Sequence, residues 1–304
     1  MIYSLRTSLI ILWMAGLLAG CASPLPSITP TLAPTATSSP TLTTAPTIQP
    51  SESEREVMVN DEERSYLLHI PPGLDRLHPV PVVMAFHGWG QEPATMQLET
   101  GFDDIADEVG FLIVYPEGIG GSWNAGTCCG YASQENVDEP AFIREILSDL
   151  GTIVRVDAKR IYAAGFSNGG GLMYRLACEM PDTFAAIAAV AGAMLYSPCQ
   201  PQQPISLIIV HGLADTEAPY TGGGELDVPP VEEVLKTWAQ LDGCTDPPQA
   251  KKEKIFTYSV YNSCNASAAV ELYAIEAGGH SWPSKYVWPA TETIWDFFAA
   301  HPKP

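Results

Sequence analysis

At 304 residues the chain has room for one large domain or two small ones, and its 46% hydrophobic content supplies enough apolar surface for a substantial core. Lys and Arg number 15 against 35 Asp and Glu, leaving a net charge of −20. Such a surface repels phosphate and no basic stripe interrupts it, which excludes nucleic acid as a partner.

The first residues read as an export signal. Arg6 precedes the apolar run Leu9 to Leu18, which is short for a membrane span and ends in small residues. A retained transmembrane anchor is the alternative, disfavoured by that length. Leu18-Ala19-Gly20-Cys21 resembles a bacterial lipobox, in which the thiol is diacylated and the chain is cut before it. Several acyl chains on Cys21 would anchor the protein stably in a membrane where a single chain is marginal. Residues 22 to 55 are dominated by Pro, Thr, Ser and Ala, with no charge before Glu52. Such a stretch buries too little apolar surface to offset its ordering entropy, and reads as an extended tether. The expected organisation is a signal over 1–20, a tether over 21–55 and one domain over 56–304, held outside the cytoplasm.

Once Cys21 is lipidated, six cysteines are left in an exported chain, and an even number there favours disulfides. Cys244 is expected to pair with Cys264. Cys128 and Cys129 are expected to reach Cys178 and Cys199 in either order, since a bond between adjacent cysteines strains the backbone. The chain has no Cys-x-x-Cys or His-x-x-x-His spacing, so neither a metal nor another cofactor is expected.

In chain order, Val57 to Val59, a turn at Asn60-Asp61, and Tyr66 to Ile70 read as a β-hairpin. Val82 to Phe86 is an apolar run suited to a strand buried on both faces, with Pro81 at its start. Helical spacing over Phe102 to Val109 leads to a second buried strand, Phe111 to Tyr115. Residues 116–137 read as a long Gly-rich loop, of the kind often tied to function. A helix follows over Ala141 to Leu150, then a strand at Arg160 to Gly165 and a helix at Asn168 to Glu179. Strands at Ala185 to Ala191 and Ile205 to His211 precede a helix at Val231 to Leu241. Strands at Ile255 to Tyr261 and Val270 to Ile275 and a helix at Thr291 to Ala300 close the chain. Alternating strands and helices after a hairpin imply an α/β domain of three layers around a mainly parallel sheet.

Gly165-Phe166-Ser167-Asn168-Gly169 fits Gly-x-Ser-x-Gly. A nucleophilic serine needs a sharp strand-to-helix turn to project its hydroxyl, and neighbours two residues away must lack side chains where strand and helix converge. An apolar strand before the motif and a helix start after it supply that context, against the reading of an ordinary Gly-rich turn. With the order serine, acid, histidine, the base is downstream. His211 ends a buried strand and reads as structural, and His301 trails the last helix. His280 follows Gly278-Gly279 in a loop after a strand, where a supported imidazole belongs. Asp215, just beyond a strand end, is preferred as the acid over Glu217 and Asp227; it would fix the His280 tautomer and stabilise the imidazolium. Two backbone donors complete such a site: the Asn168 N–H and, from the turn His87-Gly88-Trp89-Gly90, the Trp89 N–H.

With these residues assembled, the chain resembles the secreted polyhydroxybutyrate depolymerase and feruloyl esterase group of α/β-hydrolases, over about residues 56 to 300. The likeness rests on His87-Gly88-Trp89-Gly90-Gln91, Trp123-Asn124-Ala125-Gly126 with Cys128-Cys129-Gly130, and Gly165 to Gly170. Downstream it continues in His211-Gly212 with Asp215, Pro219-Tyr220 with Gly222-Gly223, and Gly279-His280-Ser281-Trp282-Pro283. The resemblance implies an α/β-hydrolase fold and hydrolysis of carboxylic esters, on polysaccharides or in polyesters, through an acyl-enzyme. It assigns the triad to Ser167, Asp215 and His280. An open cleft is expected, because no insertion is long enough for a lid. Trp123, Tyr220 and Trp282, in or beside the motif loops as Trp89 is, are candidates to bind an aromatic acyl group or a sugar. A solute- or carbohydrate-binding lipoprotein without catalysis, and a peptidase on the same fold, are the rival readings.

Overall fold

The computed structural model describes residues 51–304; the export signal, the lipidation site Cys21 and most of the tether lie outside the described residues. Strands β1 (Ser51–Val59) and β2 (Glu62–Ile70) form the expected hairpin. The strand starts at Ser51, so residues 51 to 55 are ordered β-structure and not tether. The reason is pairing: every residue of this stretch faces a β2 partner, from Ser51 opposite Ile70 to Arg55 opposite Tyr66. Arg55 is further fixed by two hydrogen bonds to Asp149, at 2.6 and 2.9 Å.

The chain continues through β3 (Val80–Phe86), α1 (Pro93–Thr100), α2 (Phe102–Val109), β4 (Leu112–Pro116), α3 (Gly130–Gln134) and α4 (Glu139–Leu150). Then come β5 (Val156–Phe166), α5 (Asn168–Glu179), β6 (Ala186–Val190), β7 (Ser206–Gly212) and α6 (Val231–Leu241). The last elements are β8 (Gln249–Lys252), β9 (Phe256–Tyr261), β10 (Val270–Ile275) and α7 (Ala290–Ala300). One sheet takes them in the order β1-β2-β4-β3-β5-β6-β7-β10-β9-β8. From β4 through β3, β5, β6 and β7 to β10 all neighbours are parallel, and antiparallel strands close both edges.

Strand alternation divides the core in two. Val82, Met84 and Phe86 of β3 join Ile161 and Ala163 of β5 on one face, beneath α4, α5 and α6. Val83, Ala85, Tyr162 and Ala164 point to the other face, where α1, α2 and α7 contribute Met96, Phe102, Ala106, Ile294 and Phe298. Each fully buried aliphatic or aromatic side chain contributes roughly 1.5–3 kcal/mol, and the central strands carry them on both faces. This is the three-layer α/β arrangement expected from the sequence, and it is an α/β-hydrolase fold.

Cys244 pairs with Cys264 as expected. The remaining pairing differs: Cys178, at the end of α5, bonds Cys199 across a Cα separation of 5.3 Å, within the normal range. Cys128 and Cys129 are left to each other and form a vicinal pair across a cis peptide. The expected cross-links between the two sets fail because the end of α5 and the segment before β7 are already neighbours.

Candidate active site

Four loops converge because each leaves the C-terminal end of a parallel strand, the edge where open α/β sheets place ligands. His87 to Gln91 follow β3, Ser167 follows β5, Asp215 follows β7 and His280 follows β10. Adjacent strands then set the spacing. Gly212 of β7 pairs with Ile275 of β10, and the Ala214 N–H donates to the Gly278 carbonyl at 2.9 Å. A Cβ on Gly212 would overlap the Gly278 carbonyl, so the close approach of the acid and base loops requires glycine there.

Ser167 sits at φ 53°, ψ −114°, a strained conformation for a residue with a side chain. The turn is enforced from both sides: a Cβ on Gly165 would strike the Gly169 carbonyl, and one on Gly169 would lie 2.6 Å from the His87 carbonyl oxygen. The Ser167 N–H donates to Val190 O at 2.9 Å and its carbonyl accepts from Gly171 at 2.8 Å, anchoring the turn to β6 and α5.

The hydroxyl so aimed meets His280. Ser167 Oγ lies 2.8 Å from His280 Nε2, and His280 Nδ1 lies 2.8 Å from Asp215 Oδ2. Asp215 Oδ1 accepts the N–H groups of Glu217 and Ala218, both at 2.9 Å. Burial alone would push the Asp215 carboxyl up, but the His280 hydrogen bond and the Ala218 N–H outweigh it and hold the group below the usual carboxylate range. An ionised acceptor therefore faces Nδ1, which makes Nδ1 the protonated nitrogen and leaves Nε2 free to accept from Ser167.

The other histidines are occupied. His211 Nε2 donates to Ala218 O at 2.7 Å while lying 3.4 Å from Asp215 Oδ2, and burial pushes its pKa down, so it supports the acid loop as a neutral ring. His87 is fully buried; its Nε2 accepts from the Gly118 N–H at 3.0 Å and its Nδ1 donates to Gly88 O at 2.8 Å.

Ser167 and His280 open into a cleft of about 480 Å³. Trp89, Phe166, Glu99, Glu217 and Trp282 help to line it. Neither the Trp89 nor the Asn168 N–H has a protein acceptor among the described residues, as two donors awaiting an oxyanion require. Trp89 is 63% exposed, and Trp282 keeps only 7% of its surface, its indole N–H donating to Thr291 Oγ1 at 3.0 Å.

Two of the residues expected to bind substrate do not reach the cleft. Trp123 is wholly buried: its indole donates to His87 O at 2.9 Å and its ring packs on Phe86 and His87. Tyr220 turns to α6, where its hydroxyl donates to Glu232 at 3.0 Å. The sequence reading did not place Phe166 at the cleft, where its ring lies 5.3 Å from the His280 ring, and weighed Glu217 only as a rival acid; its Oε2 comes within 3.7 Å of His280 Nε2. Phe166 carried a signal, as the variable position of the Gly-x-Ser-x-Gly turn. Glu217 carried none beyond its place two residues after the acid.

A family model described as Esterase PHB depolymerase matches residues 64–207. A putative esterase, NocK, of Nocardia uniformis subsp. tsuyamanensis is 29% identical over 75% of this chain and 73% of its own length. Feruloyl esterase B of Piromyces equi is 26% identical over 72% of this chain, a match that spans 42% of that protein. Among solved structures, the acetyl xylan esterase from Aspergillus awamori superimposes with a TM-score of 0.61 at 15% identity, over 81% of this chain and 99% of that one. Fold and sequence together define a carboxylic ester hydrolase of the α/β-hydrolase class. Within that class the chain is similar to the polyhydroxybutyrate depolymerase and feruloyl esterase group.

Proposed function

We propose that the chain cleaves its ester through an acyl-enzyme on Ser167, with feruloyl or acetyl esters of polysaccharide fragments, or hydroxyalkanoate oligomers, as substrates. Ser167 attacks the ester carbonyl while its proton passes to His280 Nε2; Asp215 stabilises the imidazolium, and the N–H groups of Trp89 and Asn168 receive the oxyanion. His280 then protonates the departing alkoxide, and water, activated by the same ring, releases the acid. The observation that carries this reading is the unbroken relay of 2.8 Å contacts from Ser167 through His280 to Asp215, opening into the cleft.

The cleft favours neutral esters. Glu99 and Glu217 line it with no cation among the lining residues, so an acyl or alcohol group bearing a carboxylate is repelled, and so is the free acid product. Trp89, exposed at the same cleft, offers a face for an aromatic acyl group or a sugar ring. Similarity to esterases named for feruloyl and acetylxylan substrates fits that chemistry. A Cys21 lipid anchor and the Pro/Thr/Ser tether would hold the enzyme at the cell envelope, which suits soluble fragments arriving there, and the cystine pairs suit an oxidising compartment.

The test is turnover of p-nitrophenyl acetate, a feruloylated oligosaccharide, acetylated xylan and a hydroxybutyrate oligomer by the wild type and Ser167→Ala. Turnover by the wild type alone, with Ser167 labelled by a fluorophosphonate, supports the proposal. Absence of both turnover and labelling in the wild type would favour a binding protein on a hydrolase fold.

A further inference from the structure

Behind the cleft, three charged side chains are buried together: Arg64 of β2, Glu139 of α4 and Arg175 of α5, with 4%, 1% and 8% of their surfaces exposed. None of them lines the cleft. Taking an ion out of water costs several kcal/mol, and well-packed apolar side chains often serve stability as well or better, so such a cluster is poorly explained by stability alone. What the cluster holds is more telling.

Glu139 Oε2 pairs with Arg64 Nη2 at 3.4 Å, and Arg64 also donates to Glu117 O at 3.0 Å and lies 3.9 Å over the Phe142 ring. The other Glu139 oxygen, Oε1, accepts the Asn124 N–H at 3.1 Å. Arg175 Nη1 donates to the Asn124 carbonyl at 2.9 Å. Both backbone groups of Asn124 are thus held by buried charges. The preceding residue is held from the opposite side: the Trp123 N–H donates to Asn168 Oδ1 at 2.7 Å, and Asn168 Nδ2 donates back to Trp123 O at 3.0 Å. Trp123 cannot swing, because its indole is buried and bonded to His87 O.

Asn168 is the residue after the nucleophile and begins α5. We propose that Glu139, Arg64 and Arg175, acting through the Trp123-Asn124 strut and the Asn168 side chain, are positioning residues that aim the Asn168 N–H at the oxyanion. This rests on the serine esterase reading and deepens it. The side chain of Asn168 works as a clamp while its backbone works as the donor. The buried charges act only through the strut and touch no substrate. The value of the device follows from the geometry an oxyanion donor must meet: a misplacement of the order of 1 Å can cost about a hundredfold in rate. The clamp is made in the free enzyme, so its loss falls on the transition state and not on substrate binding.

The experiment compares Asn168→Ala, Glu139→Ala and Glu139→Gln in the full-length protein, reading kcat, KM, melting temperature and affinity for phenylboronic acid as a tetrahedral analogue. Asn168→Ala is expected to lower kcat about thirtyfold and Glu139→Ala about tenfold, with KM within about twofold and matching losses of boronate affinity. Glu139→Gln, which keeps an acceptor for the Asn124 N–H, is expected to recover kcat to within about threefold of wild type. Asn168→Ala leaves the buried charges paired, so it decides the matter by itself if the Glu139 variants do not fold. Wild-type kcat in folded Asn168→Ala, or Glu139 variants that lose melting temperature and keep kcat, overturns the proposal. If Asn168→Ala leaves unchanged a turnover that Ser167→Ala abolishes, this inference alone falls; turnover indifferent to Ser167→Ala sinks the esterase mechanism with it.

Discussion

Ser167 and Asp215 stand at the ends of buried strands, fixed by backbone hydrogen bonds and by glycines that admit no Cβ. Trp89, Glu99 and Glu217, which line the cleft beside Ser167, are exposed. The floor of the site is over-determined by the fold, so under the proposed mechanism a small change there should be felt as lost rate. The rim is under-determined, and its changes should be felt as altered preference. Two regions a few residues apart in sequence, Asp215 and Glu217, thus fall under different rules.

The largest effect should come from the floor. Asp215→Asn leaves the shape of the site but no longer favours the proton on Nδ1, and kcat on p-nitrophenyl acetate should fall by about 10⁴-fold with the melting temperature little changed. Gly169→Ala places a methyl against the Phe86 and His87 carbonyls; a loss of about a hundredfold in kcat, with a lower melting temperature, is expected. On the rim, Trp89→Ala should raise KM about fivefold for a feruloyl ester and leave an acetyl ester nearly untouched, the signature of lost stacking. Glu217→Gln should lower KM for an ester bearing a free carboxylate by about threefold at low salt, with the difference fading at 1 M salt. Equal losses for all esters in either rim variant would erase the distinction between the two regions.

A buried carboxylate away from the cleft gives the comparison a control. Asp242 is as hidden as Asp215, but among the described residues its side chain accepts only the Ile205 N–H, at 3.1 Å, and burial raises its pKa to about 7. The folded chain therefore holds this proton more tightly than the unfolded chain does, and stability falls as pH rises from about 4 to about 7. Below that window both states are protonated and nothing is lost; above it the folded chain carries the full cost of a buried charge. Asp242→Asn should raise the melting temperature by a few degrees at pH 8, with the gain vanishing near pH 4 and kcat unchanged. A gain that is the same at both pH values would show that partners, not burial, were misjudged.

Much of the fold was legible in the sequence because local and global signals agree. The helices at Phe102–Val109, Asn168–Glu179 and Val231–Leu241 and the strand Val270–Ile275 have the bounds their periodicity predicts. The helix Pro93–Thr100 escaped because only Met96 and Thr100 are buried on it, and strand β8 because every residue of it is exposed. In the site, chain order and flanking glycines singled out Ser167, Asp215 and His280, whose side chains the structure brings within hydrogen-bond distance of one another. Trp123 was not, since a tryptophan in a motif loop has the same sequence signature whether it faces a ligand or the core. The cystine pairing was misread for a similar reason: which ends of α5 and the β6–β7 connection meet is a property of packing. The clamp of Asn168 on Trp123 joins residues 45 positions apart, and no local pattern announces it.

Mass spectrometry of the protein quenched during turnover of a slowly deacylating aryl ester tests the central claim most directly. The acyl mass is expected on the peptide containing Ser167, accumulating in the wild type and missing from His280→Ala. Steady ester cleavage with that peptide unmodified, or an adduct on another residue, would contradict it.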